Sequence, residues 1–115
     1  MSIINRDVFL LSPKKPLFDW SNKIFPDDPI KFDRKPFDHD EAHAYLIPEL
    51  DSPKDFKKWI QKNYRQFFEE QLFGWCTDET LWPRKLTFKM FQDWFDISYQ
   101  SMVFDTIPDE PVEYD

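Results

Sequence analysis

Short apolar runs alternate along this chain with longer stretches of helical spacing. The run Val8–Leu11 is continuously apolar and stops at Ser12-Pro13, which predicts a strand buried on both faces. The run Ala44–Ile47 stops at Pro48 and predicts a second central strand. A last strand is predicted from Tyr99 to Asp105, where Met102-Val103-Phe104 favours extended structure.

Four helical elements are predicted from capping residues and from the spacing of apolar residues. Pro16 opens the first, which ends before Pro26. The clearest is predicted from Pro53 to Phe73, with Ser52 as its cap and Gly74 as its terminator. Two shorter elements follow, a single turn capped by Thr77 and ending at Trp82, and a helix capped by Thr87 that turns four rings inward, Phe88, Phe91, Trp94 and Phe95.

The predicted order is strand, helix, strand, long helix, short helices, strand. Such an order predicts an α/β or α+β fold in which helices cover a small three-stranded sheet. A fourth, edge strand is conceivable at Ile30–Phe32, inside the loop from Pro26 to Phe37 with its three prolines. Both parallel and antiparallel connections are compatible with the spacing, so strand order stays open.

Rings dominate the apolar content. Phe, Trp and Tyr make up 19% of the residues, within an apolar total of 41% that is ordinary for a globular chain. The rings therefore replace aliphatic residues in the predicted core. Glycine occurs once, at Gly74, which excludes the glycine-rich loops that cradle phosphate groups.

The formal net charge of -7 is concentrated at one end. Residues 108–115 hold Asp109, Glu110, Glu113 and Asp115 without a base, so we expect a single globular domain over residues 1–107 and a mobile acidic tail over 108–115. An acidic chain is a poor fit to nucleic acid, and none is expected as a partner. The lone Cys76 cannot form an internal disulfide, and no apolar stretch is long enough to span a bilayer, so the expected location is cytoplasmic, without membrane contact.

Two histidines stand four residues apart in the segment His39–His43. On a helix this spacing can hold zinc. However, the segment runs directly into a predicted strand, where residues four apart lie roughly 13 Å from each other. We therefore expect no metal site and no cofactor.

The segment Trp75–Trp82 brackets two carboxylates between indoles. Paired acids near apolar rings can acquire separated proton affinities, which makes Trp75, Asp78, Glu79 and Trp82 the candidate ligand-binding residues. The plainer interpretation places both acids in the first turn of a short helix while the indoles pack inward. Cys76 has no base near it in sequence, and no catalytic residue is assigned.

A basic stripe follows the long helix opposite its apolar face. Its members, Lys54, Lys58, Lys62 and Arg65, are the candidate partner-binding residues, for an acidic partner or for the chain's own tail. The alternative is a solvated face whose charges are partly matched by nearby acids.

A resemblance extends over roughly Tyr45 to Asp105. The combination of Gly74-Trp75, Asp78, Leu81-Trp82-Pro83 and Phe91-x-x-Trp94-Phe95, after a strand that ends Leu46-Ile47-Pro48-Glu49, resembles a family of small uncharacterised bacterial proteins. The resemblance implies a bacterial intracellular protein and brings no activity or functional residue with it.

The absence of catalytic and metal-binding patterns favours a non-enzymatic protein-interaction or regulatory module. In one version a small acidic protein of this kind neutralises a basic partner, because complementary charge speeds encounter. The alternative is an enzyme or small-ligand binder that uses the Trp75–Trp82 segment with Asp78 and Glu79.

Overall fold

The chain folds as an α+β protein in the computed structural model, which describes residues 1–33, 35–37 and 42–115. This confirms the predicted class. The elements in chain order are β1 (Ser2–Ile3), β2 (Arg6–Pro13), α1 (Lys15–Ile24), β3 (His43–Pro48), α2 (Pro53–Trp75), a 3₁₀ turn (Glu79–Leu81), α3 (Phe88–Trp94), β4 (Phe95–Gln100) and β5 (Phe104–Asp105).

The main sheet has three antiparallel strands in the order β3-β2-β4. Phe9 in the central strand lies opposite Tyr45 on one side and Tyr99 on the other. A second, two-stranded sheet pairs β1 with β5, so residues near the two ends of the chain lie side by side. The order β3-β2-β4 settles what the sequence left open, and it places β3 at an edge of the sheet, so the prediction that β3 is a central strand is wrong.

Helices cover only one face of the main sheet. Phe9 and Leu11 are fully buried, whereas Val8 and Leu10 between them are partly exposed. The prediction that β2 is buried on both faces is therefore wrong. Successive side chains of a strand point to opposite faces of the sheet. A continuously apolar sequence does not show which of the two faces is buried, so the exposure of Val8 and Leu10 could not be predicted from it.

Stacked and tilted rings fill the core. The Phe9 ring centroid lies 4.8 Å from that of Phe67 and 5.6 Å from that of Phe56, which fastens β2 to α2. The centroid of Phe68 lies 5.6 Å from each of three rings, those of Phe91, Trp94 and Phe95. These distances are typical of favourable aromatic pairs. Rings thus hold α2 against both the sheet and α3.

The long helix begins as predicted and ends two residues later. The Ser52 hydroxyl accepts a hydrogen bond from the Asp55 amide at 3.1 Å, and Pro53 occupies the first helical position. Gly74, predicted to end the helix, is helical and has no positive φ, and α2 continues through Trp75.

The chain after α2 departs from the prediction in two places. The cap of the 3₁₀ turn is Asp78, not Thr77. Thr87 caps α3 as predicted, but Phe95 belongs to β4, which starts there instead of at Tyr99. Helix passes into strand without a loop, so Phe95 continues the ring pattern of α3 while it fills the core from the sheet.

The segment around Ile30 forms no strand. The Asn22 side chain accepts from the Ile30 amide at 2.7 Å and donates to the Ile30 carbonyl at 2.8 Å. A side chain therefore occupies the backbone groups that a strand would pair. Among the helices of the described ranges, none is long and apolar enough to cross a membrane.

Candidate functional site

Among the described residues, no helix covers one face of the main sheet, here the outer face, and this face carries an apolar strip. Alternation places Tyr45 and Ile47 toward α2 and Leu46 on the outer face, opposite Val8 of β2. Leu46 is 55% exposed. Another layer of the protein ordinarily covers an apolar sheet face. Because this strip is exposed instead, it is available to a partner.

Beside Leu46 the outer face deepens into a concavity of about 340 Å³, here the outer groove. Phe104 and Ile107 are at least half exposed beside it. The small β1–β5 sheet supplies one wall and the start of the tail supplies another. The lining consists of Ile4, Leu46, Val103, Phe104, Asp105, Thr106, Ile107, Glu110, Pro111 and Val112.

The outer groove has acidic charge and no base in its lining. Asp105 Oδ1 accepts a hydrogen bond from the Ile107 amide at 2.9 Å, and this bond stabilises the turn that leads into the tail. Glu110 is exposed, and residues 108–115 hold three more acidic side chains, those of Asp109, Glu113 and Asp115. The predicted tail forms no helix or strand, and its residues 110–112 run along the groove.

The structure separates the four ligand-binding candidates. Asp78 is exposed and accepts from the Thr80 hydroxyl at 2.6 Å and from the Thr80 amide at 3.0 Å, and these bonds lower its pKa. Glu79 is exposed in the 3₁₀ turn. Trp75 packs its ring 5.2 Å from that of Phe18. The carboxylates therefore begin a turn, as the plainer interpretation expected.

Trp82 lies in a different concavity, here the tryptophan groove, of about 590 Å³. Neither Asp78 nor Glu79 lines it. Its residues come from α1, from the end of the 3₁₀ turn and the chain that follows it, and from α3, and they are Trp20, Lys23, Ile24, Leu81, Trp82, Pro83, Met90 and Trp94.

The basic stripe on α2 lies where the helical spacing placed it. Lys54, Lys58, Lys62 and Arg65 are all exposed, and the Arg65 Nε donates to Glu69 at 2.9 Å. The buried face of α2 points toward the sheet. Because the tail runs along the outer groove on the other side of that sheet, it does not cover the stripe.

A polar cluster that the sequence analysis missed joins β3 to α2. The Tyr45 hydroxyl donates to Glu70 and accepts from Gln71 Nε2 at 2.7 Å, while Gln71 is fully buried. Burial and then the bond to Glu70 raise the pKa of Tyr45 well above its usual value. The phenol therefore stays neutral, and it ties the strand to the helix. The signal in the sequence was a glutamine on the apolar face of α2.

His43 completes this cluster at the first position of β3. Its Nδ1 lies 3.0 Å from Gln71 Nε2, and an amide nitrogen only donates, so Nδ1 is the acceptor in this contact. Half of the side chain is exposed, and Glu70 stands 3.9 Å from Nδ1. The cluster is a structural contact between the two elements.

The histidine pair proposed for zinc involves His39, which lies outside the described residues. Its partner His43 begins a strand, as the sequence analysis assumed. Within residues 1–33, 35–37 and 42–115, no three histidines, cysteines or acids come together as a metal site would require.

No protein-family model, characterised protein or solved structure matches this chain. The resemblance to small bacterial proteins stays a prediction. The geometry of the described residues is therefore the basis for inferring a function.

Proposed function

We propose that this protein is a non-enzymatic interaction module whose outer groove binds an apolar, basic segment of a protein partner. One observation carries the proposal: exposed Leu46, Phe104 and Ile107 adjoin a groove in which both charged residues, Asp105 and Glu110, are acidic. Such a partner would place aliphatic or aromatic side chains in the groove and lysine or arginine beside its rim.

Apolar burial would supply the affinity. A half-exposed leucine or phenylalanine that becomes fully covered contributes roughly 1 kcal/mol, since full burial contributes about 1.5–3 kcal/mol. Three such residues form the centre of a small contact, where binding energy is usually concentrated. The apolar strip along Val8 and Leu10 extends the same surface over the sheet.

Charge would select the partner and raise the rate of encounter. The tail adds Asp109, Glu113 and Asp115 to the acids of the groove, and none of residues 108–115 is basic. Two copies of this chain would bring like charges together at this surface, which disfavours self-pairing through it. A basic partner gains from the same charges.

The alternative, an enzyme or small-ligand binder that uses Asp78 and Glu79, has weaker support. The Asp78 carboxylate caps the 3₁₀ turn and accepts two hydrogen bonds from Thr80. Neither Asp78 nor Glu79 lines the tryptophan groove. The proposal keeps a cytoplasmic setting, which suits a chain whose single cysteine, Cys76, is buried and free. Binding of an acidic partner at the α2 stripe stays a separate prediction.

The test uses a labelled ten-residue peptide in which leucine alternates with lysine. Fluorescence anisotropy measures its affinity for the intact chain and for Leu46→Ala, and we expect the variant to bind about fivefold more weakly, equivalent to about 1 kcal/mol. The matched control is Leu81→Ala, because Leu81 is 46% exposed but lines the tryptophan groove. Equal losses in the two variants, or no binding by the intact chain, would refute the proposal.

A second arm tests the charge. Glu110→Lys reverses one groove carboxylate whose side chain forms no hydrogen bond or ion pair with the described residues, so the fold should tolerate it. We expect the affinity for the basic peptide to fall severalfold and its salt dependence to become shallower. An affinity that rises on this substitution would contradict the assigned partner charge.

A further inference from the structure

Three elements build the tryptophan groove independently of the outer groove. Helix α1 contributes Trp20 and Lys23, the chain after the 3₁₀ turn contributes Trp82, and α3 contributes Met90 and Trp94. No residue is shared with the outer groove. Its volume of about 590 Å³ is within the range of pockets that bind small molecules or peptide side chains.

Hydrogen bonds hold the walls of this groove in place. Trp20 Nε1 donates to the Leu81 carbonyl at 3.1 Å, and Trp82 Nε1 donates to the Cys76 carbonyl at 2.8 Å. The backbone amide of Lys14 donates to the Trp94 carbonyl at 2.8 Å and connects the start of α1 to the end of α3. With two indole N–H groups already bonded, the groove offers flat ring surfaces that are rigid before a ligand arrives.

The two facing indoles define the shape of this surface. The ring centroids of Trp20 and Trp94 are 6.0 Å apart and the planes are tilted by 45°. All three tryptophans that line the groove are partly exposed. The partly exposed indoles offer flat apolar surfaces within the groove, and the proline rings of an extended polyproline II segment pack on aromatic surfaces of this kind.

The charge at this groove opposes the charge of the protein as a whole. Lys23 is the one charged residue in the lining, and exposed Arg84 and Lys85 follow the lining residue Pro83 directly. In the part of the chain that the structure describes, no carboxylate forms an ion pair with any of these three bases. The bases are thus available to a ligand in a chain of net charge -7.

We propose that the tryptophan groove binds an acidic, proline-containing segment of a partner protein. Proline rings would pack on Trp20, Trp82 and Trp94, with little loss of conformational freedom because the segment is already extended. Glutamate or aspartate between the prolines would reach Lys23, Arg84 and Lys85. This inference goes beyond the proposed function, since it concerns a second surface and a ligand of opposite charge.

Single-stranded nucleic acid is the other ligand that rings and bases can attract. Its binding depends on a groove that neutralises successive phosphates, whereas three bases on an acidic chain offer few such contacts. Spaced carboxylates on a peptide match three bases better. The observations therefore favour the acidic peptide.

The experiment titrates three synthetic peptides into the intact chain and follows tryptophan fluorescence. The first has two prolines three residues apart with glutamates between and around them, the second replaces every glutamate by lysine, and the third replaces both prolines by alanine. We expect saturable binding of the first peptide, with at least tenfold weaker binding of the other two. Equal affinity for all three peptides, or no saturation by the first, would overturn the inference.

Charge-reversal variants locate the site without disturbing the core. Lys23→Glu should weaken the acidic peptide at least fivefold, whereas Lys54→Glu on the α2 stripe, an equally exposed change of the same charge, should leave its affinity unchanged. Loss of affinity in both variants, or in neither, would overturn the assigned location.

Two control ligands complete the test. A ten-nucleotide oligodeoxythymidine should bind more weakly than the acidic peptide, and tighter binding would overturn the ligand class. In sedimentation measurements the intact chain and a chain truncated after residue 107 should both be monomeric. Self-association that disappears when those residues are removed would identify the occupant as the tail of a second copy and overturn a separate partner.

Discussion

The outer groove and the tryptophan groove place apolar side chains in opposite electrical settings. The outer groove has Asp105 and Glu110 in its lining, whereas Lys23 is the charged residue in the lining of the tryptophan groove, and Arg84 and Lys85 follow its lining residue Pro83 in the sequence. The net negative charge of the whole chain matches the sign of the charge at the outer groove but is opposite to the sign at the tryptophan groove. Complementarity depends on charges near the contact surface, because salt screens exposed charges beyond about 8–10 Å.

The two grooves also differ in what supports them. The outer groove depends on the short pairing of β1 with β5 and on a tail without regular structure. The tryptophan groove depends on α1 and α3, and its Trp94 contacts the fully buried Phe68. Substitutions in the ring core should therefore perturb the tryptophan groove more than the outer groove. Substitutions in the outer groove itself should have little effect on stability.

The largest expected effect comes from Phe68→Ala. This change removes a ring that contacts Phe91, Trp94 and Phe95, and buried phenylalanine truncations cost about 3–5 kcal/mol. Urea unfolding measures the loss in unfolding free energy. The control Ile3→Ala, at a 55% exposed residue of β1, should change that free energy by less than about 0.5 kcal/mol. A comparable loss of unfolding free energy in both variants would contradict the claim that the ring core contributes more stability than the β1–β5 sheet.

A smaller effect should appear at alkaline pH on the inner face of the sheet. The Tyr99 hydroxyl donates to buried Asp7 at 2.5 Å, and burial followed by this bond raises the pKa of Tyr99 from 10.0 to about 12. Since the folded state holds the proton more tightly, this stabilisation is complete below pH 10 and is lost as the pH rises through 12.

Unfolding free energies measured at intervals across that range test this prediction. The intact chain should lose stability between pH 10 and 12, and Tyr99→Phe should lose less over the same interval. The variant keeps a residual loss because the pKa of Tyr45 is also raised. Identical pH profiles for the two proteins would rule out the assigned role of Tyr99.

The smallest effect is a gain of stability at Gly74. This residue is helical in the last turn of α2, has no positive φ, and a Cβ placed on it meets nothing within 4 Å. Gly74→Ala should raise the unfolding free energy by about 0.5–1 kcal/mol, because alanine loses less backbone freedom in a helix. Thermal denaturation measures the shift, and a lower melting temperature would show that the backbone there is not helical.

The sequence predicts best where one short-range rule decides the structure. Ser52 and Pro53 begin α2 as local capping rules require, and Thr87 caps α3 for the same reason. The rules fail where long-range packing decides. Gly74 continues a helix because nothing forces a left-handed turn, and Phe95 joins a strand because β4 pairs with β2.

The candidate surfaces were less predictable than the fold. The sequence predicts Trp82 as a ligand candidate, but it gives no sign that Trp20, which lies in α1 far from Trp82 in the sequence, lines the same groove. The outer groove gave little signal, because Leu46 lies in a continuous apolar run that looked fully buried. Leu46 is 55% exposed because no helix of residues 1–33, 35–37 and 42–115 packs on it, and no local pattern in the sequence specifies this.

Chemical-shift mapping of the ¹⁵N-labelled chain with the alternating leucine–lysine peptide tests the central claim most directly. The account predicts saturable amide shifts at Leu46, Phe104 and Ile107, with Trp20 and Trp94 unmoved. Shifts centred on the two tryptophans, or none at saturating peptide, would contradict it.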